Sequence, residues 1–285
     1  MEIAVQRAML RVKRDNPCPV CGRPDWCLIA EDGTAAICSR ISEGAVKNLP
    51  GAGYLHKLTD DIRKTKYVPK RQPPAPNVNW ENLAAVYHYR FTDPALTSKM
   101  YGVSMASLDD LLIGWDTHKQ AHTFPMKDGT GNIIGIRLRT LTGKKFSVPG
   151  SKNGLFWPLS VKADSTELFF IGEGPTDTAA LLDMGFPAIG RASCGTGYKY
   201  IKTMIEHHNR QVVIVADKDT AKYTPEGKVF YPGYDGGLRL ARSIKPFVRS
   251  VRMIKPPLKK DIRQWYQDGC TRAAVLALVH NARFI

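Results

Sequence analysis

The sequence predicts an α/β protein, α+β overall, with three parts, and three observations carry this prediction. Four cysteines lie close together near the start, alternating apolar and polar residues fill the middle, and two apolar runs in the last third end in carboxylates. Continuous apolar runs of strand length are typical of buried parallel strands, whereas alternation is typical of antiparallel strands with one exposed face. We therefore expect a small cysteine-rich module, a helical and β subdomain, and a C-terminal parallel sheet flanked by helices.

The charge of the chain favours a polyanionic partner. The 285 residues include 41 lysines and arginines against 26 acidic residues, a net charge of +15. Such an excess indicates a nucleic acid more than a neutral small molecule. We find no apolar run of membrane-spanning length and no basic and apolar leader, so we expect a cytoplasmic protein with no membrane partner.

The cysteine-rich start predicts a zinc ribbon over residues 1–63. Four thiolates in a C-x2-C-x5-C-x10-C array can close a tetrahedral site around one Zn²⁺ per chain, and a site of four thiolates has no open position, so its role is structural. The alternative is a pair of disulfides, which is uncommon in a chain without a secretion signal. The predicted ligands are Cys18, Cys21, Cys27 and Cys38. We expect Cys194 and Cys270 to be core or free thiols.

The sequence predicts a linker over residues 64–79. It predicts a helical and β subdomain over residues 80–160. The linker holds four prolines among basic and polar residues, which is typical of a semi-rigid tether. Helical periodicity follows, with Asn79 as the expected N-cap of a helix over 80–89 and Ser107 as the expected N-cap of a helix over 108–113.

The period then changes to two, which predicts strands near 122–126, 132–140 and 145–148 joined by glycine-rich turns. This segment is rich in basic residues, and Arg137 and Arg139 share one face of their strand because they are two residues apart. That face either holds a ligand or is solvent-exposed. The candidate nucleic-acid or nucleotide contacts here are Arg137, Arg139, Lys144, Lys145 and Lys152.

Acidic residues follow both apolar runs of the last third. Glu173 ends the first run and Asp177 comes one helical turn later, while Asp217 and Asp219 follow the second run and share a face if the backbone is extended. The carboxyl ends of parallel strands meet at the edge where ligands bind in α/β sheets. Oxygen ligands at this density suit Mg²⁺ or Mn²⁺. The alternative is a set of helix caps and turn acids.

These residues carry a resemblance to a known family. Residues 168–263 resemble the Toprim domain of bacterial and phage primases, topoisomerases and some nucleases. The matching motifs are hhhhEGxxD at 169–177, Gly-Thr-Gly at 195–197 after a strand at 187–190, hhhhxDxD at 212–219, and the primase-type ending at 260–265 that contains Asp261. The resemblance implies a Toprim domain over 161–285 that ends in a helix at 272–281. One departure is an insert at 220–233, which precedes the helix expected over 234–241.

The segment 123–158 resembles the basic subdomain that precedes Toprim in primases, and topoisomerases and Toprim nucleases have no such neighbour. With the cysteine module, the resemblance therefore points to a primase of the phage or mobile-element type. It implies RNA primer synthesis on single-stranded DNA from ribonucleoside triphosphates, in a bacterial host cell. Asp217 and Asp219 would hold Mg²⁺ or Mn²⁺, Glu173 would be a ligand or the general base, and Asp177 and Asp261 would complete the cluster. Since the sequence has no P-loop, we expect a separate replicative helicase as partner.

Two rivals remain open at this point, and so does one role in the cysteine module. A non-catalytic DNA-binding module of the recombination-mediator type also joins four cysteines to Toprim, and a Toprim nuclease needs no nucleotide site. In related primases the zinc module helps to select the template site, and Arg23 and Trp26 offer a charge and a stacking face for that contact. The alternative is that Trp26 only shields the metal.

Overall fold

The computed structural model describes residues 9–58, 78–162, 168–206, 210–224 and 227–285. The chain divides into two compact units, Met1–Ala75 and Pro76–Ile285. The division falls within the predicted linker, of which residues 64–77 lie outside the described residues. The predicted boundaries at 63 and 160 stay predictions. Within the described ranges, no helix is long and apolar enough to cross a lipid bilayer.

The first unit is a small antiparallel sheet whose core contains the cysteines. Its described strands pair in the order β1-β2-β3-β5-β4. Val12 and Ile29 are buried among Cys18, Cys27 and Cys38, so the thiols occupy the positions that apolar side chains fill in a larger domain. A core of this size needs a further cross-link or a metal to be stable. The strands are β1 (Met9–Arg11), β2 (Leu28–Ala30), β3 (Ala35–Cys38), β4 (Lys47–Leu49) and β5 (Gly53–Lys57).

The second unit begins with three short helices and a run of antiparallel strands, as the change of period predicts. Asn79 caps the first helix, because its side chain accepts a hydrogen bond from the N–H of Asn82. The prediction for Ser107 is wrong: Ser104 is the N-cap, and Ser107 lies inside the third helix. The elements are α1 (Trp80–Tyr89), α2 (Pro94–Tyr101), α3 (Met105–Asp110), β6 (Gly114–Asp116), β7 (Ala121–Lys127), β8 (Ile133–Thr140), β9 (Lys145–Ser147) and β10 (Leu155–Phe156).

Helices and strands then alternate along the chain, which confirms the mixed α/β prediction and the final helix. The elements are β11 (Leu168–Glu173), α4 (Pro175–Asp183), β12 (Ala188–Arg191), α5 (Tyr198–Ile205), β13 (Gln211–Val215), β14 (Lys222–Tyr223), β15 (Val229–Phe230), α6 (Pro232–Ile244), β16 (Ser250–Ile254), α7 (Ile262–Gln267) and α8 (Arg272–Asn281).

Nine of the described strands of the second unit form one sheet, and the other two, β14 and β15, form a small hairpin. The strands lie in the order β16-β13-β11-β12-β10-β7-β8-β9, and β6 pairs with β7. The first four are parallel, and the rest are antiparallel. The basic strands β8 and β9 therefore belong to the same sheet as β11 and β13, the strands at whose carboxyl ends the acids lie.

Both faces of the parallel half are covered, which explains the continuous apolar runs of its inner strands β11 and β13. Along β11, Phe169 and Ile171 pack with α5 and α6, whereas Phe170 points to the other face. That second face is covered by α4, α7 and α8 through residues such as Leu181 and Val275. With both faces buried, substrates reach this half of the sheet at its edges and strand ends.

Helices α3 and α4 are joined by one acidic side chain. Asp183, the last residue of α4, accepts hydrogen bonds from the N–H of Ser104 (2.7 Å), from its hydroxyl (2.5 Å) and from the hydroxyl of Ser107 (2.5 Å). This contact connects the helical layer of residues 80–110 to the helix that follows β11.

Candidate active site

The carboxyl ends of β11 and β13, each followed by acidic residues, lie side by side where the strand order of the sheet reverses. From β11 the chain crosses through α4 to β12 on one side, whereas from β13 it crosses through α6 to β16 on the other. Adjacent parallel strands whose connections leave in opposite directions form a crevice at their carboxyl ends, and ligands bind there. Glu173 is the last residue of β11, and Asp217 lies two residues beyond the end of β13.

Two glycines allow the turn after β11 to bring α4 close to the sheet. Gly174 has a φ of 85°, in the left-handed region that residues with a Cβ avoid. A Cβ on Gly190 of the neighbouring strand would lie 2.5 Å from the carbonyl oxygen of Gly174, so only glycine fits there. This tight packing places Asp177, in the first turn of α4, against the crevice.

Asp177 is a buried carboxylate with an unsatisfied oxygen. Its side chain is 6% exposed, and Oδ1 has no hydrogen-bond partner among the described residues. Burial raises its pKa well above the usual value, and the neighbouring Asp261 and Asp217 raise it further. A buried polar atom without a partner is costly unless a ligand or ion completes it.

Asp219 and Asp261 each also hold local backbone. Oδ2 of Asp219 accepts a hydrogen bond from the N–H of Gly233 (2.9 Å), and Oδ1 of Asp261 accepts one from the N–H of Gln264 (2.8 Å) as the N-cap of α7. Because β13 ends at Val215, the extended geometry expected to align Asp217 with Asp219 does not reach them. Asp217 and Asp261, like Glu173 and Asp177, line a cavity beside these strand ends, whereas Asp219 does not.

The electrostatics of this group are those of crowded, partly buried like charges. Burial raises the pKa of Asp217 to about 7, with further contributions from Glu173, Asp261 and Asp219. Burial also raises the pKa of Glu173, although Arg191 opposes the rise. A bound cation would offset the repulsion between carboxylates whose pKa values are raised in this way. Clusters of such groups are common at functional sites.

The hard oxygen donors and the unsatisfied Oδ1 of Asp177 fit a divalent cation such as Mg²⁺ or Mn²⁺. The carboxylates are nevertheless more widely spread than the four cysteines, whose ligand atoms all lie within 4.8 Å of one another. Within the part of the chain that the structure describes, no three of the acids form so compact a group. The acids therefore suit ions that also take ligands from water or a substrate.

A basic wall faces the acids across a cavity of about 270 Å³. Arg137 and Arg139 project into it from β8, and Lys145 from β9, where Lys145 pairs with Arg139 in the ladder. Partial desolvation lowers the pKa of Lys145, and Arg139 lowers it further. Positive charge held beside acids in one cavity is an arrangement that binds polyphosphate together with metal ions.

The other predicted basic residues of this subdomain lie outside the cavity. Lys144 and Lys152 are exposed and do not line it. Lys144 lies in the connection between β8 and β9, one residue before β9 begins.

Three basic residues at this site were missed by the sequence reasoning. Lys260 and Arg263 line the cavity on either side of Asp261, so the motif that marks Asp261 could have indicated them. Arg191 ends β12 opposite Glu173 in the ladder and is 1% exposed. Its Nη1 donates to the carbonyl of Cys194 (2.8 Å), whereas Nε and Nη2 have no acceptor among the described residues. An apolar strand pattern gave no signal for this buried cation.

The four cysteines of the first unit fit Zn²⁺. Tetrahedral Zn–S bonds of about 2.3 Å place sulfurs about 3.8 Å apart. The Sγ atoms of Cys21 and Cys27 are 3.7 Å apart, and those of Cys27 and Cys38 are 4.0 Å apart. The backbone N–H of Ile41 donates to the Sγ of Cys38 (3.3 Å), a contact that favours the thiolate form.

Arg40 is a neighbour of this cluster that the sequence reasoning did not identify. Its Nη1 lies 3.6 Å from the Sγ of Cys27 and 3.8 Å from that of Cys21, and its Nη2 donates to Oδ1 of Asp25 (2.6 Å). Four thiolates around Zn²⁺ carry a net charge of about −2, which a guanidinium at this distance partly neutralises.

Trp26 and Arg23 are exposed on the surface of the same unit. The indole of Trp26 is 77% exposed, and its backbone lies in the left-handed region with a φ of 64°. A side chain this exposed does not cover the cysteines, which argues against the shielding alternative. The contact of Arg23 and Trp26 with nucleic acid stays a prediction.

No protein-family model matches this sequence, and no curated protein matches it significantly. Solved structures do resemble it. A structure of the DnaG catalytic core shares 18% identity, covers 72% of this chain and 79% of its own, and has a TM-score of 0.55. The DnaG primase catalytic domain bound to single-stranded DNA shares 17% identity, covers 72% of this chain and 78% of its own, and has a TM-score of 0.55.

The Aquifex aeolicus primase, solved with its zinc-binding and RNA polymerase domains, shares 12% identity over 72% of this chain and 60% of its own, with a TM-score of 0.57. At these identities the likeness shows the fold alone. The arrangement of parallel strands, basic antiparallel strands and covering helices described above therefore resembles the fold of these primase catalytic cores.

Proposed function

We propose that this protein is a DNA primase that synthesises short RNA primers on single-stranded DNA. The observation that carries the proposal is the cavity at the switch point of the sheet, in which acids face a basic wall. One of the similar structures is a primase domain bound to single-stranded DNA, which supports the same ligand here. The positive net charge of the chain supports it too. The facing residues are Glu173, Asp177 and Asp217 on the acidic side and Arg137, Arg139 and Lys145 on the basic side.

The reaction joins two nucleotides. The 3′ oxygen of one ribonucleotide attacks the α-phosphorus of the next triphosphate, the new P–O bond replaces the bond to pyrophosphate, and the proton of the hydroxyl goes to a base. Bound Mg²⁺ or Mn²⁺ would neutralise the phosphates and lower the pKa of the attacking hydroxyl. Asp217, Asp219, Asp177 and Asp261 are the residues proposed to hold these ions.

Glu173 is proposed as the proton acceptor or as a further ligand. It lies at the end of β11 beside Asp217, and burial raises its pKa toward the pH at which a general base is most effective. Arg191 opposes this rise, because its positive charge favours the ionised carboxylate that accepts a proton.

The basic wall binds the negative charge of the reactants. Arg137 is held by a hydrogen bond from its Nη2 to Oδ1 of Asn153 (3.0 Å), and the guanidinium of Arg139 lies 5.1 Å from the ring centre of Tyr101. Both side chains are therefore oriented before a ligand arrives, which reduces the entropy lost on binding. Lys145, which pairs with Arg139 in the ladder, adds a third positive charge to the lining of the cavity. Two further lysines are proposed to contact the template outside the cavity, namely Lys144 and Lys152.

The first unit is proposed to hold one structural Zn²⁺ and to help select the template site through Arg23 and Trp26. A closed site of four thiolates offers no position for a substrate, so its contribution is to shape the unit. We further propose that the protein is of the phage or mobile-element type, acts in the cytoplasm of a bacterial host and works with a separate replicative helicase.

One assay distinguishes the proposal from its rivals. Full-length protein is incubated with a mixed-sequence single-stranded template, labelled ribonucleotides and Mg²⁺ or Mn²⁺. A primase produces short labelled RNA, a nuclease shortens the template without using nucleotides, and a binding module does neither. Absence of labelled RNA under both metals, with template binding intact, would refute the proposal.

A further inference from the structure

The insert that follows the acids forms a two-stranded hairpin with an exposed apolar face. Strand β14 pairs with β15, and Tyr223 lies directly opposite Val229. Paired residues project on the same side of a hairpin. Tyr223 is 70% exposed and Val229 is 45% exposed, so the described chain leaves this side uncovered. Lys222, on the other side, pairs with Phe230.

The base of this hairpin is attached to the catalytic acids. Asp219 accepts the hydrogen bond from the N–H of Gly233, which lies in the first turn of α6, directly after the hairpin. Gly233 also packs on Asp217, since a Cβ there would lie 2.8 Å from the carbonyl oxygen of Asp217. The chain therefore passes from the hairpin into α6 in direct contact with Asp217 and Asp219.

Lysines and further aromatic residues lie near the exposed pair in the chain. Lys222 and Lys228 are exposed on and beside the two strands of the hairpin. Tyr231 and Tyr234, where the chain enters α6, are 46% and 41% exposed. Nζ of Lys255 lies 5.7 Å from the centre of the Tyr234 ring. Aromatic rings among lysines are typical of surfaces that bind unpaired nucleic acid, because bases stack on the rings and phosphates contact the charges.

We propose that the hairpin surface, defined as Lys222, Tyr223, Lys228 and Val229, binds the single-stranded template beside the acidic edge. Tyr223 stacks on an unpaired base against Val229. The long side chains of the two lysines, of which Lys222 leaves its strand on the opposite side, reach the flanking phosphates around the edges of the hairpin. Charge complementarity and attachment to the acids favour a nucleic-acid strand over a protein segment as the occupant. The inference rests on the proposed function only in naming that strand the template.

Binding of a labelled oligothymidylate of about 20 nucleotides to the full-length chain, followed by fluorescence anisotropy, tests the proposal. Tyr223→Ala should weaken binding about 5-fold or more, since one base loses its stacking partner. Tyr223→Phe keeps the aromatic ring and should bind the oligonucleotide as tightly as the parent. Replacing Lys222 and Lys228 by alanine should make the salt dependence shallower by about 1.4 in log–log slope, for two phosphate contacts. Tyr89→Ala, at a 90% exposed tyrosine of α1, is the matched control.

The proposal is overturned if Tyr223→Ala binds the oligonucleotide as tightly as the parent, or if Tyr89→Ala loses as much affinity. It is also overturned if Tyr223→Ala weakens blunt duplex DNA equally, since stacking requires unpaired bases. Thermal melting should stay unchanged, because these side chains are exposed. Primer synthesis is measured separately: a parent that makes no RNA refutes the proposed function, whereas the binding result alone decides the role of the hairpin.

Discussion

Replacing Asp217 by asparagine should separate catalysis from stability. The variant loses the carboxylate that we propose holds the metal ion, so primer synthesis should fall below detection. Its affinity for single-stranded DNA should persist, because that affinity comes from the basic surfaces. The less expected consequence concerns folding: in buffer without added divalent cations, Asp217→Asn should be more stable than the parent at pH 8.

The magnitude follows from the pKa of Asp217, which the folded protein raises from 3.8 to about 7. The folded state therefore binds this proton more tightly than the unfolded state, and stability falls as pH rises from about 4 to 7. The whole difference corresponds to about 4 kcal/mol. Because neighbouring acids share the repulsion, we expect a gain of about 2–4 kcal/mol, or about 5–10 °C in Tm for a unit of this size.

The assay is thermal melting at pH 8 and pH 5, with and without Mg²⁺. At pH 5 the gain should shrink to less than half, since most of the penalty in the parent develops above that pH. Added Mg²⁺ should raise the Tm of the parent more than that of the variant. Asp109→Asn, at an exposed carboxylate of α3 that lies 3.6 Å from Nε2 of His88, should change the Tm little at either pH, since an exposed ion pair contributes only about 0–1 kcal/mol. An equal gain at both pH values, or a loss at pH 8, would refute the reasoning.

Three further predictions concern the other parts of the molecule. Cys38→Ser should lose the zinc, about one ion per chain by metal analysis, while the melting of residues 76–285 stays unchanged; retention of a full equivalent would contradict the ligand set. Arg137→Ala and Arg139→Ala should each raise the KM for nucleotides by on the order of 10-fold through loss of a charged contact, whereas Lys144→Ala should change it little, as steady-state primer synthesis would measure. Trp26→Ala should keep its zinc but lose about 5-fold in start-site preference on sequenced primers, and an unchanged preference would restrict Trp26 to a surface role.

The strands and acids could be predicted because they depend on local patterns. Burial on both faces makes β11 and β13 apolar throughout, and the acids follow directly at their ends, so a short stretch of sequence contains the whole signal. The helix after the insert was placed at 234–241 and instead runs over Pro232–Ile244, which shortens the insert to 220–231. Proline at the first helical position was the signal for the earlier start.

What could not be predicted depends on which distant elements meet. The pairing of β8 with β9 places Lys145 beside Arg139 and leaves Lys144 outside the cavity, and the sequence alone does not specify that register. Ser104 and Ser107 are both plausible caps by residue type. Asp183 decides between them, because it binds the N–H and hydroxyl of Ser104 from another helix.

Buried polar groups without partners, such as those of Arg191, lower the stability of the folded protein as long as no ligand is bound at this site. A buried guanidinium with two nitrogens lacking acceptors is unfavourable, and so is a buried carboxylate such as Asp177 with a free oxygen. The two do not neutralise each other, since no ion pair joins them among the described residues. Groups of opposite charge kept apart in one site remain available for ligands of both signs. A divalent cation for the acids and a polyphosphate for the bases would satisfy both, and nucleotidyl transfer is a reaction that supplies the two together.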